Sequence, residues 1–138
     1  MRIMAVDYGK ARVGVAITDP LGIISQPLET IPYLSDRDLI RRLKYLVREN
    51  NVGVVLVGNP LSMTGGATEI SEQVQRFVKR LQKRLKIKVK LWDERLTSKY
   101  AQTRMKEVGI PKTPGKLDQV AACIMLDEFL KSQAHCSA

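Results

Sequence analysis

The sequence predicts a three-layer α/β domain, and three features carry that expectation. Short β-rich runs crowd the first 31 residues, helical and strand patterns alternate after residue 35, and VGVVLVG at 52–58 is apolar on both faces. Strands joined by short turns pair antiparallel, whereas strands separated by helices pair parallel. A strand apolar on both faces belongs inside a sheet covered on both sides.

The elements follow in order. Residues 2–6 (RIMAV) form a first strand that stops at Asp7 and turns at Gly9. Residues 12–18 form a second, and 22–31 a third that Pro27 pushes towards an edge, because proline cannot donate to a sheet ladder. Ser35 and Asp36 open a helix with Leu39, Leu43, Leu46 and Val47 on one face. The run 52–58 is the central parallel strand, and NPLSMTGG (59–66) is a loop by its Asn-Pro and Gly-Gly signals. From Thr68, the positions Ile70, Val74, Phe77, Val78, Leu81 and Leu85 mark a second amphipathic helix. Residues 87–92 alternate as a strand, and Thr97 caps a third helix ending near Gly109. After the turn IPKTPGK, residues 117–131 make a final helix, apolar nearly all round through Leu126, followed by a polar tail from about 132. The order β-β-β-α-β-α-β-α-α implies a mixed five-stranded sheet with helices on both faces. A chain of 138 residues with no repeat or linker supports one domain spanning 1–138.

Composition narrows the chemistry. Lys and Arg number 23 against 14 Asp and Glu, a net charge of +9 that favours polyanionic partners. Two cysteines do not make a disulfide framework; Cys123 reads as a small buried side chain and Cys136 as part of the tail. No leader pattern and no apolar stretch near the ~18–20 residues of a membrane span is visible, so a soluble, cytoplasmic protein with no membrane partner is expected. The single histidine, His135, lies four residues from the C-terminus, which argues against histidine triads and multi-histidine zinc sites. Neither a P-loop nor a two-cysteine zinc knuckle is present.

What remains is carboxylates at costly positions. Asp7 ends a buried strand, Asp93 and Glu94 end the strand IKVKLW, and Asp118 sits in the first turn of a very apolar helix, on the stripe of Ala122, Met125 and Phe129. Each has a structural explanation taken alone: an Asx turn, a solvated strand end paired with Arg95, a favourable helix dipole. Together they make a different case. Both strand ends fall at the carboxyl edge of such a sheet, and a helix crossing that edge brings Asp118 to the same point. Converging carboxylates repel unless they share a cation, and oxygen ligands without His or Cys select Mg²⁺ or Mn²⁺. Two such ions would support phosphodiester hydrolysis.

Cations are placed to hold the substrate. Arg76, Lys79, Arg80, Lys83, Arg84, Lys86, Lys88 and Lys90 form a basic run whose plainer explanation is a solvated helix face. Lys10 and Arg12, beside Asp7, and Arg95, beside Glu94, are better placed for phosphates. The 59–66 loop can add backbone N–H groups. Aromatic residues are only 5%, so duplex or junction backbone is a better substrate guess than splayed single-stranded bases.

The segments VDYGKARVGVAITD, VVLVGNPLSMTGG, LWDERLTS and KLDQVAACIML resemble the four blocks of the YqgF (RuvX-like) family, from Ile3 to about Leu130. The resemblance implies an RNase H-like fold and a nuclease, described either as a Holliday-junction resolvase or as the enzyme maturing the 5′ end of pre-16S ribosomal RNA. Carried over block by block, the family's acidic positions fall on Asp7, on the Asp93–Glu94 pair and on Asp118. Glu94 is the favoured second acid, with Asp93 a further ligand. A resolvase needs a two-fold dimer, whereas RNA maturation needs only a monomer. No dimerisation stripe is visible, so RNA processing is preferred, with the protein a monomer or weak homodimer and a ribosomal particle as a possible setting. Two other readings compete. DYGKARVGVA resembles the first phosphate loop of sugar kinases, but those enzymes close two such domains around ATP. A non-catalytic nucleic-acid-binding module would bind without cleaving.

Overall fold

The computed structural model of the chain describes residues 1–60, 65–94 and 114–136. Five strands, β1 (Arg2–Tyr8), β2 (Arg12–Thr18), β3 (Ser25–Pro32), β4 (Val52–Asn59) and β5 (Lys88–Asp93), form one sheet in the order β3-β2-β1-β4-β5. The β1–β2 and β2–β3 pairs are antiparallel, whereas β1–β4 and β4–β5 are parallel. Helices α1 (Asp36–Glu49) and α2 (Glu69–Arg84) cover one face, and α3 (Pro114–Cys136) covers the other. The expected mixed five-stranded sheet between two helical layers is what the chain builds.

Strand alternation divides the core. Met4, Val6 and Tyr8 of β1 join Val13, Val15 and Ile17 of β2 under the buried faces of α1 and α2. Ala5, Ala16 and Leu56 face Ala122, Met125, Leu126 and Phe129 of α3, with Trp92 and the half-buried Cys123 against them. Each fully buried large side chain contributes about 1.5–3 kcal/mol.

Local signals set several boundaries. Ser35 caps α1 by accepting from the Asp38 N–H, and Thr68 and Ser71 form a reciprocal capping box on α2. Pro27 lies on edge strand β3, where the register with β2 shifts and leaves Leu28 as the extra residue of a bulge. At the other edge, Lys88 and Lys90 of β5 discourage pairing with a further strand. Asp36 is tied to the sheet through hydroxyl donors, Tyr8 at 3.0 Å and Tyr33 at 2.8 Å, while Gln73 of α2 donates to the Tyr8 oxygen at 2.8 Å.

Several boundaries differ from expectation. Strand β3 begins at Ser25, not 22, because the Asp19 carboxylate accepts from the Ile23 and Ile24 N–H groups at 2.7 and 2.8 Å and Gly22 takes φ +74°. That closes a turn in which residues 22–24 cannot extend. Helix α3 begins at Pro114, three residues early, since the fixed φ of proline suits a first helical turn. It also runs through the expected polar tail to Cys136, because no glycine or proline interrupts the chain after Gly115. The helix expected from Thr97 to Gly109 lies outside the described residues. Among the described residues no helix is long and apolar enough to cross a membrane.

Candidate active site at the carboxyl edge of the sheet

Because β1, β4 and β5 are parallel, their carboxyl ends share one edge. Strand β1 continues two residues beyond the expected stop, so Asp7 is a paired strand residue opposite Gly14 of β2 and not the start of an Asx turn. Alternation puts Asp7 on the α3 face, with Ile3 and Ala5.

Glu94 reaches Asp7 from β5, and the two carboxyl groups share a hydrogen bond. Two strand spacings separate β1 from β5, roughly 9–10 Å. Ordinarily a β4 side chain would stand between them. Here the position is Gly58: a Cβ there would lie 2.5 Å from Glu94 Oε1 and 2.9 Å from the Met125 sulfur. The missing side chain is what lets the acids meet across β4. Gly14 serves the same purpose for α3, since a Cβ on it would collide with the backbone carbonyl of Asp118. Asp118 therefore sits over the strand residue that pairs with Asp7.

The electrostatics follow from this crowding. Burial, then the negative charge and hydrogen bond of Glu94, then Asp118, push the Asp7 carboxyl up to about 8. Glu94 is also raised, by burial first and by repulsion from Asp93. The pair holds a proton that ordinary carboxyls release. Asp118 is the fifth residue of α3, not in its first turn, so the helix dipole does not account for it. Its side chain is half-buried and accepts from Arg12 Nε at 2.9 Å.

The other candidates separate cleanly. Asp93 is in register with Asn59, one residue before Glu94, and alternation assigns it to the opposite face from Asp7. The structure thus brings Glu94, not Asp93, to Asp7. Lys10 is exposed in the turn between β1 and β2, and Arg12 stands beside Asp118. Arg95 lies outside the described residues, as do residues 61–64 of the 59–66 loop. Gly14 and Gly58 were not singled out from the sequence, although glycine inside a central strand is itself a sign of close approach. Asn59, buried at the end of β4, has an Oδ1 that accepts from no group among the described residues.

The donor set suits a hard divalent cation. It is all oxygen, it is crowded with like charge, and Asp7 and Glu94 retain a proton that such an ion would displace. Asp118 is turned to Arg12, and among the described residues no three acidic, histidine or cysteine side chains already stand together as a metal-binding group. Two acids are in contact and the third is adjacent.

A mixed sheet in this order, acids at its carboxyl edge and a helix laid across it, defines a protein of the RNase H-like class. The fold is similar to that of Thermus thermophilus RuvC in complex with a Holliday junction substrate, with a TM-score of 0.64 at 12% identity over 97% of this chain and 96% of that one. It is also similar to the fowlpox virus Holliday junction resolvase, with a TM-score of 0.58 at 18% identity over 96% and 99%. Residues 1–132 match the family described as "RuvX: Holliday junction resolvase", and the chain belongs to that family. A relative in Acetivibrio thermocellus, named "Putative pre-16S rRNA nuclease", is 44% identical over 96% of this chain and 97% of its own. Another of the same name in Thermoanaerobacter pseudethanolicus is 38% identical over 96% and 98%.

Proposed function

We propose that the chain is a metal-dependent endonuclease hydrolysing phosphodiester bonds, with 5′-end maturation of pre-16S ribosomal RNA as its activity and Mg²⁺ or Mn²⁺ as its ion. The observation that carries this reading is the meeting of Asp7 and Glu94 across Gly58, with Asp118 seated over Gly14. The names of the relatives supply the RNA substrate.

Asp7, Glu94 and Asp118 would hold the ion, whereas alternation turns Asp93, a further ligand in the sequence reading, to the other face of the sheet. When bound, the ion activates water and stabilises the leaving oxygen. To hold the ion, Asp7 and Glu94 would have to give up their shared proton, so its binding would release a proton and strengthen as pH rises. Arg12 engages Asp118 through Nε, and among the described residues its terminal nitrogens would be available to a phosphate oxygen beside the acids. Lys10, exposed on the neighbouring turn, adds a positive charge at the same rim, and Arg95 follows Glu94 in the chain.

Resolution of four-way DNA junctions is the second reading, favoured by the family description and by the likeness to RuvC. It needs a two-fold dimer, whereas RNA maturation proceeds in a monomer or weak homodimer. One assay separates them. Purified protein is given labelled pre-16S fragments and four-way junctions, with Mg²⁺, with Mn²⁺ and with EDTA, beside Asp7→Asn and Asp118→Asn. RNA cleavage that needs the ion and falls by about 10²-fold or more in the variants is expected. Symmetric junction cutting with RNA spared would move the assignment to resolvase. Binding without cutting of either would make the chain a binding module.

A further inference from the structure

On the face of the sheet opposite the acids, α1 and α2 lie side by side over the first core cluster. Their exposed flanks enclose a groove of about 530 Å³ lined by Arg37, Arg41, Lys44, Arg80, Lys83 and Arg84, with Ile40 as its apolar element. A second hollow of about 290 Å³ shares Lys44 and Arg84 with it and continues to Arg48 and Lys86. Beyond Lys86, Lys88 and Lys90 run along edge strand β5 towards the α3 face, where Lys90 Nζ lies 5.7 Å from the Phe129 ring centre.

Two features show that this is more than a solvated helix surface. Within each helix the groove positions are like-charge neighbours at i, i+3 and i, i+4, an arrangement that opposes helix formation. Across the groove the two rows face each other, which adds repulsion between helices. Neutralisation is sparse: Arg80 approaches Asp36 at 3.5 Å, and among the described residues no ion pair engages the other five. An anion of extended shape resolves both costs. Four of the six cations are arginines, whose planar guanidinium matches a phosphate through two hydrogen bonds. A polynucleotide backbone enters a concave groove that a flat lipid surface would span.

We infer that the α1–α2 groove is a second nucleic-acid-binding surface, which holds the phosphate backbone of a folded RNA on the face opposite the acidic site. The inference rests on the nuclease reading in one respect: the RNA held here is a distal part of the molecule cut at the acids, led round the β5 edge by Lys86, Lys88 and Lys90.

The test compares the native protein with a fourfold variant, Arg41→Gln, Lys44→Gln, Lys83→Gln and Arg84→Gln. Binding is measured over a salt series in EDTA, to a long folded pre-16S fragment and to a short duplex bearing only the cut site. The long RNA is expected to bind at least about tenfold more weakly to the variant, with a log–log salt slope shallower by roughly two to four, since each phosphate contact contributes about 0.9. Short-duplex affinity and single-turnover cleavage are expected to stay within about twofold. In the native protein, long RNA should also shield Lys44 and Lys83 from acetylation, a readout that needs no variant. Unchanged affinity and slope, equal losses for long and short RNA, or unshielded lysines would overturn the inference. So would loss of binding to phosphatidylglycerol vesicles with RNA binding intact, which would assign the groove to a membrane surface. Because binding is read without metal, a failure here is distinct from failure of the Asp7→Asn cleavage test.

Discussion

At Asp7, burial and the neighbouring Glu94 keep a carboxyl group protonated far above the usual carboxylate range. Its value rises from 3.8 to about 8 on folding, so between those limits the folded chain binds more protons than the unfolded one. The contribution to stability is therefore full below about pH 4 and is lost as pH rises towards about 8. Denaturant titrations in EDTA should show stability declining from about pH 4 to about pH 8. Asp7→Asn, which has no proton to lose, should flatten that dependence and add about 1–2 kcal/mol at the alkaline end, while removing cleavage. A native pH profile already flat would contradict the buried-pair picture.

Elements meet at the site only because two of them lack side chains where they cross. Gly58 on β4 opens the space through which Glu94 reaches Asp7, and Gly14 on β2 lets α3 lie close enough to seat Asp118. Gly58→Ala is expected to cost about 1–3 kcal/mol by overpacking and to lower cleavage at least about tenfold by driving Glu94 from Asp7. Gly53, on the same strand, provides the contrast. A Cβ there meets only the flexible end of Met1, apart from a distant Arg2 carbonyl, so Gly53→Ala should cost under about 1 kcal/mol and leave cleavage intact. Thermal melts and single-turnover rates on the two variants check both halves, and equal behaviour would remove the special role given to Gly58.

Taken whole, the molecule puts its crowded acids and its densest cations on opposite faces of the sheet. The acids lie under α3, while the densest cations lie between α1 and α2 across the full thickness of the sheet. Sites with no shared partner act independently, so the RNA-binding effects of Asp7→Asn and of the groove substitutions should add in log affinity within about 0.5 kcal/mol when combined. Strong non-additivity in that binding cycle would mean that the two faces communicate.

By itself the sequence determined what repeats locally. Apolar alternation and helical spacing marked the strands and helices, Ser35 and Thr68 announced two helix starts, and Pro27 sent β3 to an edge. Those signals are local because steric preference, capping and amphipathic burial act within a few residues. The carboxylates were legible as costly residues at strand ends, and so was their common edge. The tertiary structure decided the rest. Choosing Glu94 over Asp93 required the register of β5 on β4, and the meeting with Asp7 required the absent side chain at Gly58. Placing Asp118 in the second turn of α3 required that Pro114 start the helix. The groove required α1 and α2 to lie side by side, so that residues about 40 positions apart in sequence became facing rows. Contacts between distant residues depend on strand order and close approach, which no periodicity within one segment encodes.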